Sequence, residues 1–220
     1  MSTAPSDGVK VAETTANPAP LGLLGFGMTT ILLSFHNAGI FPLDSMIMSM
    51  GLFVGGIAQI IAGIQEWKKN NTFGATAFSA YGAFWITLVA SWILPRIASV
   101  VLNPTTGQPS TPLLGAASGE LAMAVFLALW GLFTLGMFFG TLRLNVMLVI
   151  VFGTLTILFF GLATRDFLGA AEIEAGKLVG TVSGWVGIVC GLAAVYGSIA
   201  QVLNEVYGRT VLSIGPITRD

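Results

Sequence analysis

Apolar positions in this chain run continuously and do not alternate. Asp, Glu, Lys and Arg are absent from 14–43, 45–65, 70–95, 121–142, 144–164 and 178–204. Each window is long enough for the roughly 20 mostly apolar residues that a helix needs to cross a hydrocarbon core of about 30 Å. A further uncharged window, 97–119, holds Pro104, Pro109 and Pro112 among Asn, Thr, Gly, Gln and Ser, and predicts a loop. The pattern thus predicts six spans, near 21–41, 46–66, 73–95, 119–141, 145–164 and 178–203. Spanning β-strands would instead read as short alternating segments. The expected fold class is an all-α membrane protein with six transmembrane helices per protomer.

Composition narrows the function classes. Of 220 residues 55% are apolar and only 9% charged, and the mean hydropathy is +0.87, which excludes both a soluble single-core domain and a disordered chain. Nine Lys/Arg against ten Asp/Glu leave no basic footprint for nucleic acid. The single cysteine, Cys190, forbids an internal disulfide and a cysteine-built metal site, and the single histidine forbids a His-pair metal centre. The chain has no Gly-rich phosphate loop ending in Lys-Ser/Thr and no G-x-S-x-G. The expectation is no metal, no cofactor and no enzyme, but a protein that moves its substrate.

The cations set an expected orientation. With the N-terminus inside, the inner face receives Lys10, Lys68, Lys69, Arg143, Arg209 and Arg219, and the outer face Arg96, Arg165 and Lys177. Six against three places both termini in the cytoplasm. Trp67 and Trp92 fall at span ends, as interfacial anchors. Residues 1–16 are expected as a disordered cytoplasmic tail with no cleaved signal peptide, 17–204 as the six-span domain, and 205–220 as a cytoplasmic C-terminal tail.

Few polar groups lie inside the spans. His36, beside Asn37 on the first helix, is the titratable side chain well within a span. It is either a packed structural histidine or a group that handles protons or lines a pathway. Ser118-Gly119-Glu120 reads as a helix start that places Glu120 at the favourable dipole end, with proton handling the alternative. Asn17 is a good N-cap and Pro18 suits the first helical position, so the first helix aims free amides and a positive dipole end forward. With Thr29, Thr30, Asn37, Gln59, Thr76, Tyr81 and Thr154 this makes an anion path without a charged side chain. Such a path would bind weakly and briefly. Gly176, Gly180, Gly184, Gly187 and Gly191 share one face of the sixth helix, with shorter small-residue pairs at Gly51/Gly55 and Gly136/Gly140, and predict close helix packing within or between subunits.

The string NPAPLGLLGF at 17–26 resembles the signature of the acetate uptake transporter family, the succinate–acetate permeases. The resemblance continues through 27–41, 51–85, 129–143 and 203–215 and so runs from residue 17 nearly to the end of the chain, with all six spans. It implies a six-helix protomer with its own pathway, a fold similar to that of the urea channels, and assembly as a homo-hexamer in the plasma membrane. It also implies transport of acetate and other short carboxylates, with succinate among them, by a channel-like or proton-coupled route. An apolar constriction implied by the resemblance falls on Phe26, Tyr81 and Leu155. Two other readings stay open: a channel for neutral solutes such as urea or short amides, and a non-conducting sensor or assembly protein.

Overall fold

The computed structural model describes residues 15–98, 105 and 118–217. Six helices there are long and apolar enough to cross a membrane. They are α1 (Ala19–Asn37), α2 (Ser45–Lys68), α3 (Thr72–Ala98), α4 (Glu120–Thr141), α5 (Val146–Ala170) and α6 (Ala175–Val206). Each of the six expected spans is therefore present, with ends shifted by a few residues. The loop expected at 96–118 and the tail expected at 1–16 fall almost wholly outside the described residues.

Polar side chains set most of the helix starts. Asn17 Oδ1 accepts from Ala19 N (3.1 Å), while the Pro18 carbonyl accepts from Leu21 and Gly22. Asp44 Oδ1 accepts from Met46 N and Ile47 N at the start of α2, and Asn145 Oδ1 accepts from Leu148 N at the start of α5. α1 stops four residues before its expected end because Gly39, at φ +81°, closes a Schellman turn: Ile40 N donates to Phe35 O and Gly39 N to His36 O. Asn70, at φ +56°, ends α2 in the same way, with Asn71 N donating to Glu66 O.

α5 departs from expectation in the other direction. It runs to Ala170 instead of stopping near 164, so Arg165 and Asp166 belong to the helix and not to a loop. The middle of α2, Met50–Ala58, is π-helical, a wide winding that hydropathy alone does not reveal. At the C-terminal end, the expected tail turns back onto the bundle. Asn204 holds Val211 and Leu212 by three hydrogen bonds, and Val146 N donates to Gly215 O beside the start of α5.

The helices close into a ring. α1 packs against α2 and α6, α6 against α5, α5 against α4, and α2 against α3, while the α3 and α4 backbones approach one another only sparsely. Close approach elsewhere follows from glycine. A Cβ on Gly191 of α6 would lie 2.5 Å from Ile31 Cγ1 and 2.7 Å from Gly27 O of α1, and one on Gly27 would lie 2.8 Å from Gly191 O. Gly51 and Gly55 of α2 meet Trp85 of α3 in the same manner. Gly136 faces no atom of its own protomer within 4 Å, whereas Gly140 meets Phe73.

Aromatic rings bridge the sparse α3–α4 seam. Tyr81 lies 5.9 Å from Trp130 and 5.7 Å from Phe133, and Phe84 stacks on Phe126 at 5.6 Å. Trp67 is exposed as an interfacial anchor should be, but Trp92 turns inward and lines a cavity. The centre of the ring is thus walled by large apolar side chains, with space above and below them.

Candidate functional site

Two cavities lie end to end inside the ring. The proximal one, of about 220 Å³, sits toward the start of α1 and the α2–α3 turn. The distal one, of about 170 Å³, sits toward the end of α1 and the end of α5. Either has room for several waters. Phe26, Tyr81 and Leu155 are the residues that line both. They stand where the two cavities meet, which we call the septum, each at least nine-tenths buried, with the Phe26 and Tyr81 rings 5.9 Å apart.

Helical period explains why these three meet. On α1 the cavity face runs through Leu23, Phe26, Thr30, Leu33 and Asn37, steps of three or four. On α3 it runs through Ala77, Tyr81, Phe84, Leu88 and Trp92, and on α5 through Val151, Leu155, Leu158, Leu162 and Arg165. The Tyr81 hydroxyl finds its partner on α4. Thr134 Oγ1 donates its own hydrogen to Trp130 O (2.7 Å), so in the 2.9 Å contact Tyr81 is the donor and Thr134 the acceptor. That bond ties α3 to α4 across the seam and leaves the Tyr81 oxygen only lone pairs to offer a passing molecule.

The other candidates divide. Thr30 lies on the distal cavity, buried, and its Oγ1 has no protein partner. Gln59 lies on the proximal cavity, 1% exposed, and its Oε1 is likewise unpartnered. Buried polar atoms nearly always find partners, and both of these border open space. His36 and Asn37 line the distal cavity. His36 Nδ1 is 3.1 Å from Phe41 O, and since a carbonyl only accepts, Nδ1 carries the hydrogen and Nε2 is left for another contact.

Several expected pathway residues are elsewhere. Thr29 is turned one position around α1 from Thr30, donates to Gly25 O (2.8 Å) and packs against the π-helical turn of α2. Thr154 satisfies itself against Ile150 O and Val151 O of its own helix. Thr76 lies on the outer side of the α2–α3 hairpin. Asn17 caps α1 and donates to Gln201 Oε1 (3.1 Å); Gln201, not Asn17, lines the proximal cavity. Glu120 starts α4 and lines a separate crevice with Arg165 and Asp166 outside the distal cavity.

Two ionisable groups on the cavities escaped the sequence reading. Glu66, 2% exposed, lines the proximal cavity and accepts from Asn71 Nδ2 at 2.7 Å. It lies two turns after Gln59 on one helical face, which the spacing could have signalled. Arg165 lines the distal cavity, which overturns the expectation of an anion path without a cation. The cause is the longer α5: ten residues after Leu155, Arg165 returns to the septum face. Among the described residues no three His, Cys, Asp or Glu side chains are placed to hold a metal ion.

Asn71 serves two elements at once. Its Nδ2 holds Glu66 while its Oδ1 accepts from Gly74 N to cap α3. Replacing Asn71 by Ala is expected to lose the cap, roughly 1 kcal/mol, and to leave a buried carboxylate oxygen unpaired, roughly 1–3 kcal/mol more. Thermal unfolding in detergent reads this directly, and an Asn71→Ala protein that melts with the parent would refute the coupling.

Comparison with known proteins gives this geometry a setting. The sequence profile of the GPR1/FUN34/yaaH family matches residues 3–217. The chain is 51% identical over 200 residues to the succinate-acetate/proton symporter SatP of Escherichia coli K12, covering 91% of this chain and 95% of that protein. It is 35% identical over 208 residues to acetate permease A of Emericella nidulans, covering 88% of this chain and 64% of the fungal protein. A solved structure described as that of the bacterial acetate channel SatP superposes with a TM-score of 0.81 at 48% identity, covering 92% of this chain and all of the other. One of these relatives is named a symporter and the solved structure a channel.

Proposed function

The chain belongs to the GPR1/FUN34/yaaH family, the acetate uptake transporters, and from that premise we propose that it carries acetate and related short carboxylates, including succinate, across the plasma membrane through each protomer. It is a multi-pass membrane transporter and not an enzyme. The observation that carries the proposal is the pair of cavities that share Phe26, Tyr81 and Leu155 in their linings, which supports a constriction at those residues. A solute entering either cavity has one apolar barrier to pass. The proximal end carries Lys68, Lys69, Arg143 and Arg209, and the distal end Arg165 and Lys177, which supports a cytoplasmic proximal face with both termini inside.

The septum sets the mechanism. A bare carboxylate loses its hydration there against hydrocarbon and aromatic carbon, at a cost of several kcal/mol. A negative interior adds about 2.3 kcal/mol per charge per 100 mV against anion entry. Both penalties fall if a proton travels with the acid. Gln59 on one side and Thr30 on the other offer unpartnered polar atoms to rehydrate the carboxyl group as it leaves the barrier. His36 faces the distal cavity and Glu66 the proximal one, so each end has a group able to exchange a proton with the solute. Glu120, outside both cavities, is not part of this route.

The assembly is proposed as a homo-hexamer in the bilayer. Its support, besides the resemblance, is the outward apolar face of α6, where Leu178, Val182, Trp185, Val189 and Leu192 are all more than half exposed in the protomer. Native mass spectrometry or light scattering of the detergent-solubilised protein reads the copy number.

Coupling is decided in proteoliposomes with pH and voltage imposed independently. Acetate uptake is expected to rise with an inward proton gradient at zero potential and to carry little net current. An acetate flux that carries current and ignores imposed pH steps would remove proton coupling and leave an anion channel. Uptake of urea or acetamide without any acetate uptake would replace the carboxylate reading with a neutral-solute channel.

A further inference from the structure

The two cavities differ in charge. Of the acids and bases among the described residues, Glu66 alone borders the proximal cavity below the septum, while Arg165 and His36 border the distal one. The carboxylates nearest Arg165, Asp166 and Glu120, line the outer crevice instead of the distal cavity. Among the described residues, then, the wall of the distal cavity holds a cation that is ion-paired with Asp166, and no acidic side chain lines that cavity itself.

Arg165 is also held in place. Its Nε donates to Asp166 Oδ1 at 2.6 Å and its Nη1 donates to Asn37 Oδ1 at 3.1 Å, which leaves the remaining Nη hydrogens without a protein partner among the described residues. Glycine on α6 gives the side chain its course: a Cβ on Gly180 would lie 2.7 Å from Arg165 Cδ. A guanidinium held at Nε and Nη1 is already oriented, and it keeps Nη2 free to donate to an incoming carboxylate oxygen at little further entropic cost. Deeper in the same cavity, the buried Thr30 hydroxyl has no protein partner and stands next to the septum. A carboxylate thus meets a charged donor at the mouth and a neutral donor at the barrier.

We propose that Arg165 makes the distal cavity a capture site for the anionic form of short carboxylic acids, from which the acid passes to Thr30 and the septum. The inference rests on the transport reading above. It makes binding asymmetric. An acid arriving from the distal side meets a cation, and one arriving from the proximal side meets the Glu66 carboxylate. The Michaelis constant for acetate is therefore lower on the distal side, with no effect on the final equilibrium distribution. Asp166 keeps the site from holding its ligand too long, because its carboxylate competes for the same guanidinium.

Initial rates of labelled acetate entry into proteoliposomes, with acetamide as the uncharged counterpart, test the site. In the unaltered protein, KM for acetate from the distal side is expected to rise between low and physiological ionic strength, where the screening length falls to about 8 Å. Arg165→Gln is expected to raise that KM about tenfold, the loss of one charge-assisted contact worth about 1.4 kcal/mol, and to lower the acetate-to-acetamide rate ratio. Arg165→Lys restores charge without the fork and recovers part of the loss. A KM and salt profile for Arg165→Gln equal to those of the parent would overturn the capture site. Should that variant not fold, an Arg165→Lys protein indistinguishable from a salt-insensitive parent would do the same. A parent protein that takes up acetamide but no acetate would overturn the transport reading, and the site with it.

Discussion

Phe26→Ala is expected to turn a selective barrier into a permissive one. Phe26 is one of the three residues common to the linings of both cavities, and its ring lies 5.9 Å from that of Tyr81. Removing the ring joins the two cavities instead of sealing a new void. The stability cost therefore lies at or below the low end of the roughly 3–5 kcal/mol seen when Phe is truncated in a close-packed core. Transport changes more. A methylene in a tight apolar passage is worth about 1–3 kcal/mol of discrimination, so propionate and butyrate rates are expected to rise about tenfold or more relative to acetate. Leu155→Ala should act in the same direction. Tyr81→Phe should change little in size selection, because it keeps the ring and loses only the bond to Thr134, which still has Trp130 O. Unaltered competition by propionate and succinate in Phe26→Ala would move the barrier away from this ring.

Gly191→Val is expected to prevent assembly of the bundle. The added Cβ would lie 2.7 Å from the Gly27 carbonyl oxygen, and a backbone atom cannot swing aside as a side-chain end can. Overpacking a core ordinarily costs about 1–3 kcal/mol, and a clash between two helix backbones belongs at or beyond the upper end. α1 and α6 would have to part, and α1 carries Phe26, Thr30 and Asn37 into the cavities. The expected outcome is little monodisperse protein in detergent and a lowered melting temperature in what remains. Gly136→Val is the control, because nothing in the protomer lies within 4 Å of that position. Equal melting of Gly191→Val and the parent would show that the α1–α6 contact is looser than the geometry states.

Which parts of this were legible in sequence follows from what acts locally. Charge-free windows place the helices because the bilayer tests each segment alone, and all but α5, which runs six residues further, end within four residues of expectation. The Asn17 bond to Ala19 N and the helix start at Glu120 were readable for the same reason. The stops at Gly39 and Asn70 act just as locally, yet a hydropathy window does not register them. Glycine spacing on α6 was readable as a packing face. Its partner was not, since nothing in one helix names the helix that will meet it.

The hydroxyls show the limit most clearly. Thr29, Thr30 and Thr154 look alike as polar residues in apolar runs, and Thr30 alone reaches a cavity. Thr29 is turned about 100° around α1 from Thr30 and so faces α2 instead of the axis. Thr154 stands one position before Leu155 and spends its hydroxyl on its own helix. Gln59 and Glu66 follow the π-helical turn of α2, whose wider winding sets the face they present to the axis. Arg165 was misread because charge marked the end of a span, whereas the helix continues and winds it back over the cavity.

By itself, then, the sequence determined a six-helix membrane protein, its helix boundaries to within a few residues and, through the 17–26 signature, its family. Those depend on the free energy of each segment in lipid and on strings that can be read in order. The tertiary structure decided which polar groups see the pathway, that a cation stands on one side of the septum and a carboxylate on the other, and that α3 and α4 are joined by aromatic rings. Burial and charge environment are properties of neighbours drawn from other helices, and only the closed ring brings those neighbours together.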